Sequence, residues 1–117
     1  MGASEKALKM ADLAIEALEN TKAEEIKSID ISEVSVMSDV FILACGNSRT
    51  QIRALADHVD EALSKAGYQP KNIEGYDTCK WILMDYGDII IHVFDNESRK
   101  YYDLDRIWRD GVEINVT

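Results

Sequence analysis

The stretch WILMDYGDIIIHVF, residues 81–94, decides how the chain reads. Two apolar runs flank a Tyr86-Gly87 pair, which predicts a β-hairpin with a two-residue turn. In that register Asp85 faces Asp88, Leu83 faces Ile90 and Trp81 faces His92. Side chains alternate along a strand, so the two faces separate. One face carries Ile82, Met84, Ile89, Ile91 and Val93, and it calls for a helical layer over it. The other carries Trp81, Leu83, Asp85, Asp88, Ile90, His92 and Phe94. That second face is too polar for an ordinary core and too apolar for an idle surface.

Several readings compete for it. Asp85, Asp88 and His92 are metal-ligand types, but His92 stands roughly 13 Å up the strand from Asp88 at about 3.3 Å per residue. A single ion does not span that. The two aspartates could share a proton in acid–base chemistry, yet no nucleophile–base pair lies near them in sequence. An aromatic anchor among a few acidic groups is what protein interfaces are enriched in. Plain packing is the remaining reading, with the C-terminal segment covering the face and Trp81 as part of the core.

Outward from the hairpin, residues 4–19 predict an amphipathic helix capped by Ser4, with Leu8, Ala11, Ile15 and Leu18 at three-to-four spacing. EIKSIDIS, residues 25–32, alternates imperfectly and reads as an outer strand. DVFILAC, residues 39–45, is apolar almost throughout, as a central strand covered on both faces should be. In GNSRTQIRALADHVDEALSKAGY, Ser48 and Gln51 fit a capping box. Ile52, Leu55, Ala56, Val59, Leu63 and Ala66 form one stripe, and Gly67 suits a left-handed helix end. A strand near 69–74 should follow, parallel to 39–45 through a right-handed crossover. Near the C-terminus, Tyr101, Leu104 and Trp108 stand at helical spacing, with Ile107 beside them. That predicts a short helix completing the core or, less simply, a partner surface.

The Gly46-Asn47-Ser48 turn could serve as a phosphate cradle, because amides at a helix N-terminus can hold an anion. It has one glycine and neither of the common nucleotide-loop signatures, so a plain capped turn is the simpler reading. Cys45 and Cys79 form no CxxC pair and, with His58 and His92, lack zinc-ligand spacing. They read as reduced thiols. No cofactor or metal is expected.

Composition narrows the classes further. The 117 residues are 46% hydrophobic, which fits a single globular domain over 1–117 and argues against disorder. MGASEKALKMADLAIEALEN carries charges throughout and no continuous apolar stretch, so a soluble, unexported, cytoplasmic protein is expected. With 22 acidic and 13 basic side chains the net charge is −9. Such a surface repels phosphate backbones and favours encounter with basic proteins, although solubility alone would also account for it. Several apolar groups on one open face also permit a homodimer that hides its own binding face.

MSDVFILACGNS, then EGY with Trp81 following, then DYGDIIIHVF and ESRKYYDLDRIW, together resemble the Iojap-related ribosomal silencing factor family. The similarity runs from about residue 6 to 109, and the ordered set is far more specific than any one motif. Val40 stands where an aromatic is common, and Cys45 where a threonine often precedes the turn. The resemblance implies an α/β fold: a mixed, mostly five-stranded sheet with helices packed on it, related to nucleotidyltransferases but without their catalysis. Asp85 and Asp88 straddle a turn and do not form the D-x-D pair that aligns two metal ions in those enzymes. By the same resemblance, the partner is a basic protein of the large ribosomal subunit, the one numbered fourteen. Its occupation would block joining of the small subunit and lower translation when nutrients run short. The partner-binding role is carried onto Trp81, Leu83, Asp85, Tyr86, Asp88 and His92, with no catalytic residue. The alternative is a small nucleotidyltransferase-type enzyme using Asn47-Ser48 and the acidic turn.

Overall fold

A computed structural model describes residues 3–33, 38–95 and 112–113. Along the chain run α1 (Glu5–Asn20), β1 (Glu24–Asp30), β2 (Val40–Gly46), α2 (Arg49–Lys65), β3 (Asn72–Glu74), β4 (Trp81–Asp85), β5 (Ile89–Asp95) and β6 (Val112–Glu113). The strands make one mixed sheet in the order β3-β4-β5-β2-β1-β6. β2 and β5 pair in parallel, and the other neighbours pair antiparallel. This is the expected mixed α/β sheet of five strands, with the two-residue β6 added outside β1.

Local chemistry fixes both helices. The Ser4 hydroxyl accepts from the Ala7 amide at 3.1 Å and starts α1. The Ser48 hydroxyl accepts from the Gln51 amide at 3.1 Å and starts α2. The Gln51 side chain reaches back, as a capping box requires, but to the amide of Asn47 at 2.8 Å and not to that of Ser48. Its own amide nitrogen donates to the Lys22 carbonyl at 3.0 Å, which ties the start of α2 to the α1–β1 turn. At the other end Gly67 has φ +93°. The Tyr68 amide donates to the Leu63 carbonyl at 2.9 Å and the Gly67 amide to that of Ser64 at 3.0 Å, the paired bonds of a Schellman stop.

The two helices cover one face of the sheet. Met10, Ile15 and Leu18 from α1 and Ile52, Leu55, Val59 and Leu63 from α2 pack on Val40, Ile42, Ile82, Met84, Ile89, Ile91 and Val93. The aliphatic hairpin face therefore points where the sequence placed it. A second cluster, Ile29, Ile31, Leu43, Cys45 and Phe94, lies on the opposite face, with Phe41 and Trp81 against it. β2 feeds both clusters, which is why its sequence reads as an unbroken apolar run. β1 also sends side chains both ways, with Ile26 to the helices and Ile29 to the far side, where Ile31 just after the strand joins it. That division accounts for its irregular alternation.

Two expectations need correction. The strand expected over 69–74 is shorter and does not adjoin β2, because β4 and β5 stand between them. β5 is buried on both faces over most of its length and takes the central place beside β2, whereas all three β3 residues are exposed and suit an edge. β1 is also not outermost, since Ile29 and Asp30 pair with Glu113 and Val112. The helix expected over 101–108 lies outside the described residues. Cys45 and Cys79 are buried and not joined in a disulfide. Among the described residues no helix is long and apolar enough to cross a membrane.

Candidate functional site

The hairpin register decides which side chains meet on the sheet face opposite α1 and α2. Trp81 pairs with Phe94, Leu83 with His92 and Asp85 with Ile90. The two-residue turn is thus Gly87-Asp88, one position later than the sequence suggested, and the Tyr86 amide closes it on the Ile89 carbonyl at 3.0 Å. Gly87, at φ +85°, supplies the positive φ such a turn needs at its first central position. The Asp85 carboxylate accepts from the Gly87 amide at 2.8 Å and fixes the bend. Moving the turn by one residue slides the partner strand by two, so every side chain keeps its face.

The six residues singled out for partner binding do not stay together. Trp81, Leu83 and Asp85 share the face of β4 opposite α1 and α2, each partly exposed. Tyr86 does not join them. It ends the 82-84-86 alternation on the helix side, is 5% exposed, and donates from its hydroxyl to the Asp60 carboxylate of α2 at 2.8 Å. Burial first, then that hydrogen bond and the Asp60 charge, push the phenol well above its ordinary pKa. Asp88, now in the turn, leans toward α1 and forms an ion pair with Lys6 at 3.1 Å. Both side chains are well exposed, so this pair stabilises little. The proposed Asp85–Asp88 pairing across the hairpin does not occur.

His92 is on the same face, opposite α1 and α2, but only 5% exposed. Its Nδ1 accepts the indole N–H of Trp81 at 3.0 Å, and the Phe41 ring meets its edge with centroids 4.9 Å apart. Its Nε2 is buried with no hydrogen-bond partner among the described residues. Burial lowers its pKa from 6.5 to about 4. Above about pH 6.5 the ring is neutral folded and unfolded, and contributes no pH dependence. Below that, the unfolded ring takes a proton that the folded ring does not take until about pH 4. Stability should therefore fall as pH drops through this window, by at most about 1.4 kcal/mol per pH unit. Urea midpoints of the wild type and His92→Phe, compared over that range, separate this effect from carboxylate titration. Parallel profiles would mean that the folded ring is protonated after all.

Sequence reasoning missed the neighbours that complete the face. Phe41 of β2 lies beside His92, since it pairs with Ile90, which the alternation already put on this face, and Leu43 pairs with His92. Glu74 and Asn72 of β3 pair with Leu83 and Asp85 and add an exposed acid and an amide at the rim. The EGY motif is the available signal, but nothing in it says that β3 lies beside β4. The loop from Gly75 to Lys80 leads directly into Trp81. Arg53 of α2 pins it, donating to the carbonyls of Asp77 at 3.0 Å and Tyr76 at 3.4 Å.

The two halves of the enzymatic alternative lie at opposite ends of the sheet. A cavity of about 340 Å³ beside Asn47 and Ser48 is also lined by Lys80 and Asp95. Asp95 ends β5 and pairs with Gly46, while Asp85 and Asp88 sit at the strand's other end, next to Ile90 and Ile89. Six residue steps at about 3.3 Å put roughly 20 Å between the ends of β5. Among the described residues no group of three or more His, Cys, Asp or Glu side chains could hold a metal ion.

The family described as ribosomal silencing factor during starvation matches residues 4–117. A ribosomal silencing factor of Halalkalibacterium halodurans is 32% identical over 107 residues, covering 92% of each chain. One from Bacillus subtilis is 36% identical and covers 85% of this chain and 84% of its own. A crystal structure of a Chromobacterium violaceum protein, 37% identical, superposes with a TM-score of 0.84 and covers 86% of this chain and 84% of that one. A mouse protein named for mitochondrial assembly of the ribosomal large subunit is 26% identical over 83% of this chain, which spans 44% of it. Matches of sequence and fold over most of the chain agree: the chain belongs to the ribosomal silencing factor family.

Proposed function

We propose that this protein lowers translation by docking on the large ribosomal subunit through its basic fourteenth protein, where its bulk blocks joining of the small subunit when nutrients are limiting. The observation that carries this reading is the face of β4 turned away from α1 and α2. There an indole, a leucine and a carboxylate are partly exposed side by side on a domain of net charge −9. Trp81 and Leu83 supply apolar contact, and Asp85 with Glu74 supplies charge that opposes a basic surface. Tyr86 holds the hairpin on α2 and is not a contact residue, and Asp88 stands at the margin. The action is steric and cytoplasmic and requires no turnover. A bound 13.2 kDa domain only has to stay longer than an attempt at joining.

Sedimentation of the tagged protein with separated ribosomal subunits tests this. It should travel with large subunits and not with small ones, and added salt should weaken the association, because exposed charges are screened over roughly 8 to 10 Å at physiological ionic strength. Protein found only at the top of the gradient at low salt would remove the ribosomal reading. Nucleotide binding by calorimetry, with a divalent ion present, would support the enzymatic one.

A further inference from the structure

Trp81 is the first residue of β4, directly after a loop. Two rings restrain it. Phe94, its cross-strand partner, meets it edge-on with centroids 6.4 Å apart. His92, two residues back on β5, accepts its indole N–H through Nδ1 at 3.0 Å. A neutral imidazole has one acceptor nitrogen, so acceptance at Nδ1 leaves the proton on Nε2. The imidazole is itself fixed, 5% exposed and wedged against Phe41. A partner lying on the face therefore meets the indole and not the imidazole beneath it.

We propose that His92 is a positioning residue: it makes no contact with the ribosome, and its Nδ1 holds the Trp81 indole in the orientation that docks. The proposal rests on the docking reading above, and assigns His92 a role different from that of Trp81, Leu83 and Asp85. A free indole would sample several rotamers and have to give them up on binding, whereas a tethered one is ordered beforehand.

The test uses the full chain. In long-range ¹H–¹⁵N spectra of the wild type the His92 ring should carry its proton on Nε2, and an Nδ1-protonated ring overturns the tether without any substitution. His92→Phe keeps a ring in the site and removes the acceptor. The Trp81 indole N–H resonance, assigned by its loss in Trp81→Phe, should move in His92→Phe and exchange faster with solvent. Affinity for large subunits should fall about fivefold, the ratio matching one neutral hydrogen bond. In a Trp81→Phe background the same His92→Phe change should cost no further affinity. A loss that persists there would make His92 a direct contact and overturn the proposal. Wild-type protein that ignores large subunits sinks the docking reading and this role together, whereas an unmoved indole resonance sinks the tether alone.

Discussion

Ile82→Ala is expected to lower folding stability by about 3 to 4 kcal/mol, whereas Trp81→Ala, one residue away, should act mainly on binding. The Ile82 side chain is fully buried in the helix-side cluster, so truncation removes its apolar contacts and leaves a cavity beneath α2. Trp81 points the other way and is only partly buried. Its removal forfeits packing on Phe94 and leaves the His92 Nδ1 without its donor, which should destabilise the fold by about half as much as the Ile82 change. Affinity for the large subunit should fall by about 2 kcal/mol or more, as for an aromatic anchor of an interface. Binding per folded molecule should change little in Ile82→Ala. Urea midpoints and affinity for the purified fourteenth protein, measured on both variants, read the two effects separately. Equal destabilisation would make Trp81 an ordinary core residue. Normal binding by a folded Trp81→Ala would take the docking face away from β4.

The same pair of residues shows what the sequence could and could not reveal. Alternation placed Ile82 and Trp81 on opposite faces correctly even though the turn was misplaced, because the resulting slip is an even number of residues. Turn position was harder. Tyr86-Gly87 and Gly87-Asp88 are both acceptable dipeptides, and only closure of the Tyr86 amide on Ile89 selects the second. From that one-residue difference follow the inward path of Tyr86 and the separation of Asp85 from Asp88. The caps at Ser4, Ser48 and Gly67 were legible because each depends on residues within one helical turn. The place of β3 was not, since its three exposed side chains carry no pattern that names a neighbour. His92 read as an exposed ligand or contact. Its burial depends on Phe41, which arrives from β2 and leaves no mark in the sequence around position 92.

Gly75→Ala should be among the most damaging single-methyl changes in the chain, costing roughly 3 kcal/mol or more through positive-φ strain and overpacking combined. Gly75 has φ +81°, and a Cβ there would lie 2.0 Å from the Trp81 carbonyl oxygen. That neighbour is backbone and cannot rotate aside, so the loop or the start of β4 must move. The loop resists. The Cys79 amide donates to the Gly75 carbonyl at 3.1 Å, Arg53 holds the carbonyls of Tyr76 and Asp77, and the Tyr76 hydroxyl donates to Asp57 of α2 at 3.0 Å. Gly67 provides the control, since it has a similar φ of +93° but open space where its Cβ would go. Gly67→Ala should cost only about 1 kcal/mol, the strain of the left-handed region less the entropy that alanine removes from the unfolded chain. The difference between the two variants in urea isolates the close approach at Trp81. Because the displaced carbonyl belongs to the residue bearing the indole, Gly75→Ala should also weaken large-subunit binding in whatever fraction remains folded, and Gly67→Ala should not. Equal losses of stability would mean that the loop yields easily, and that Gly75 is required for its φ alone.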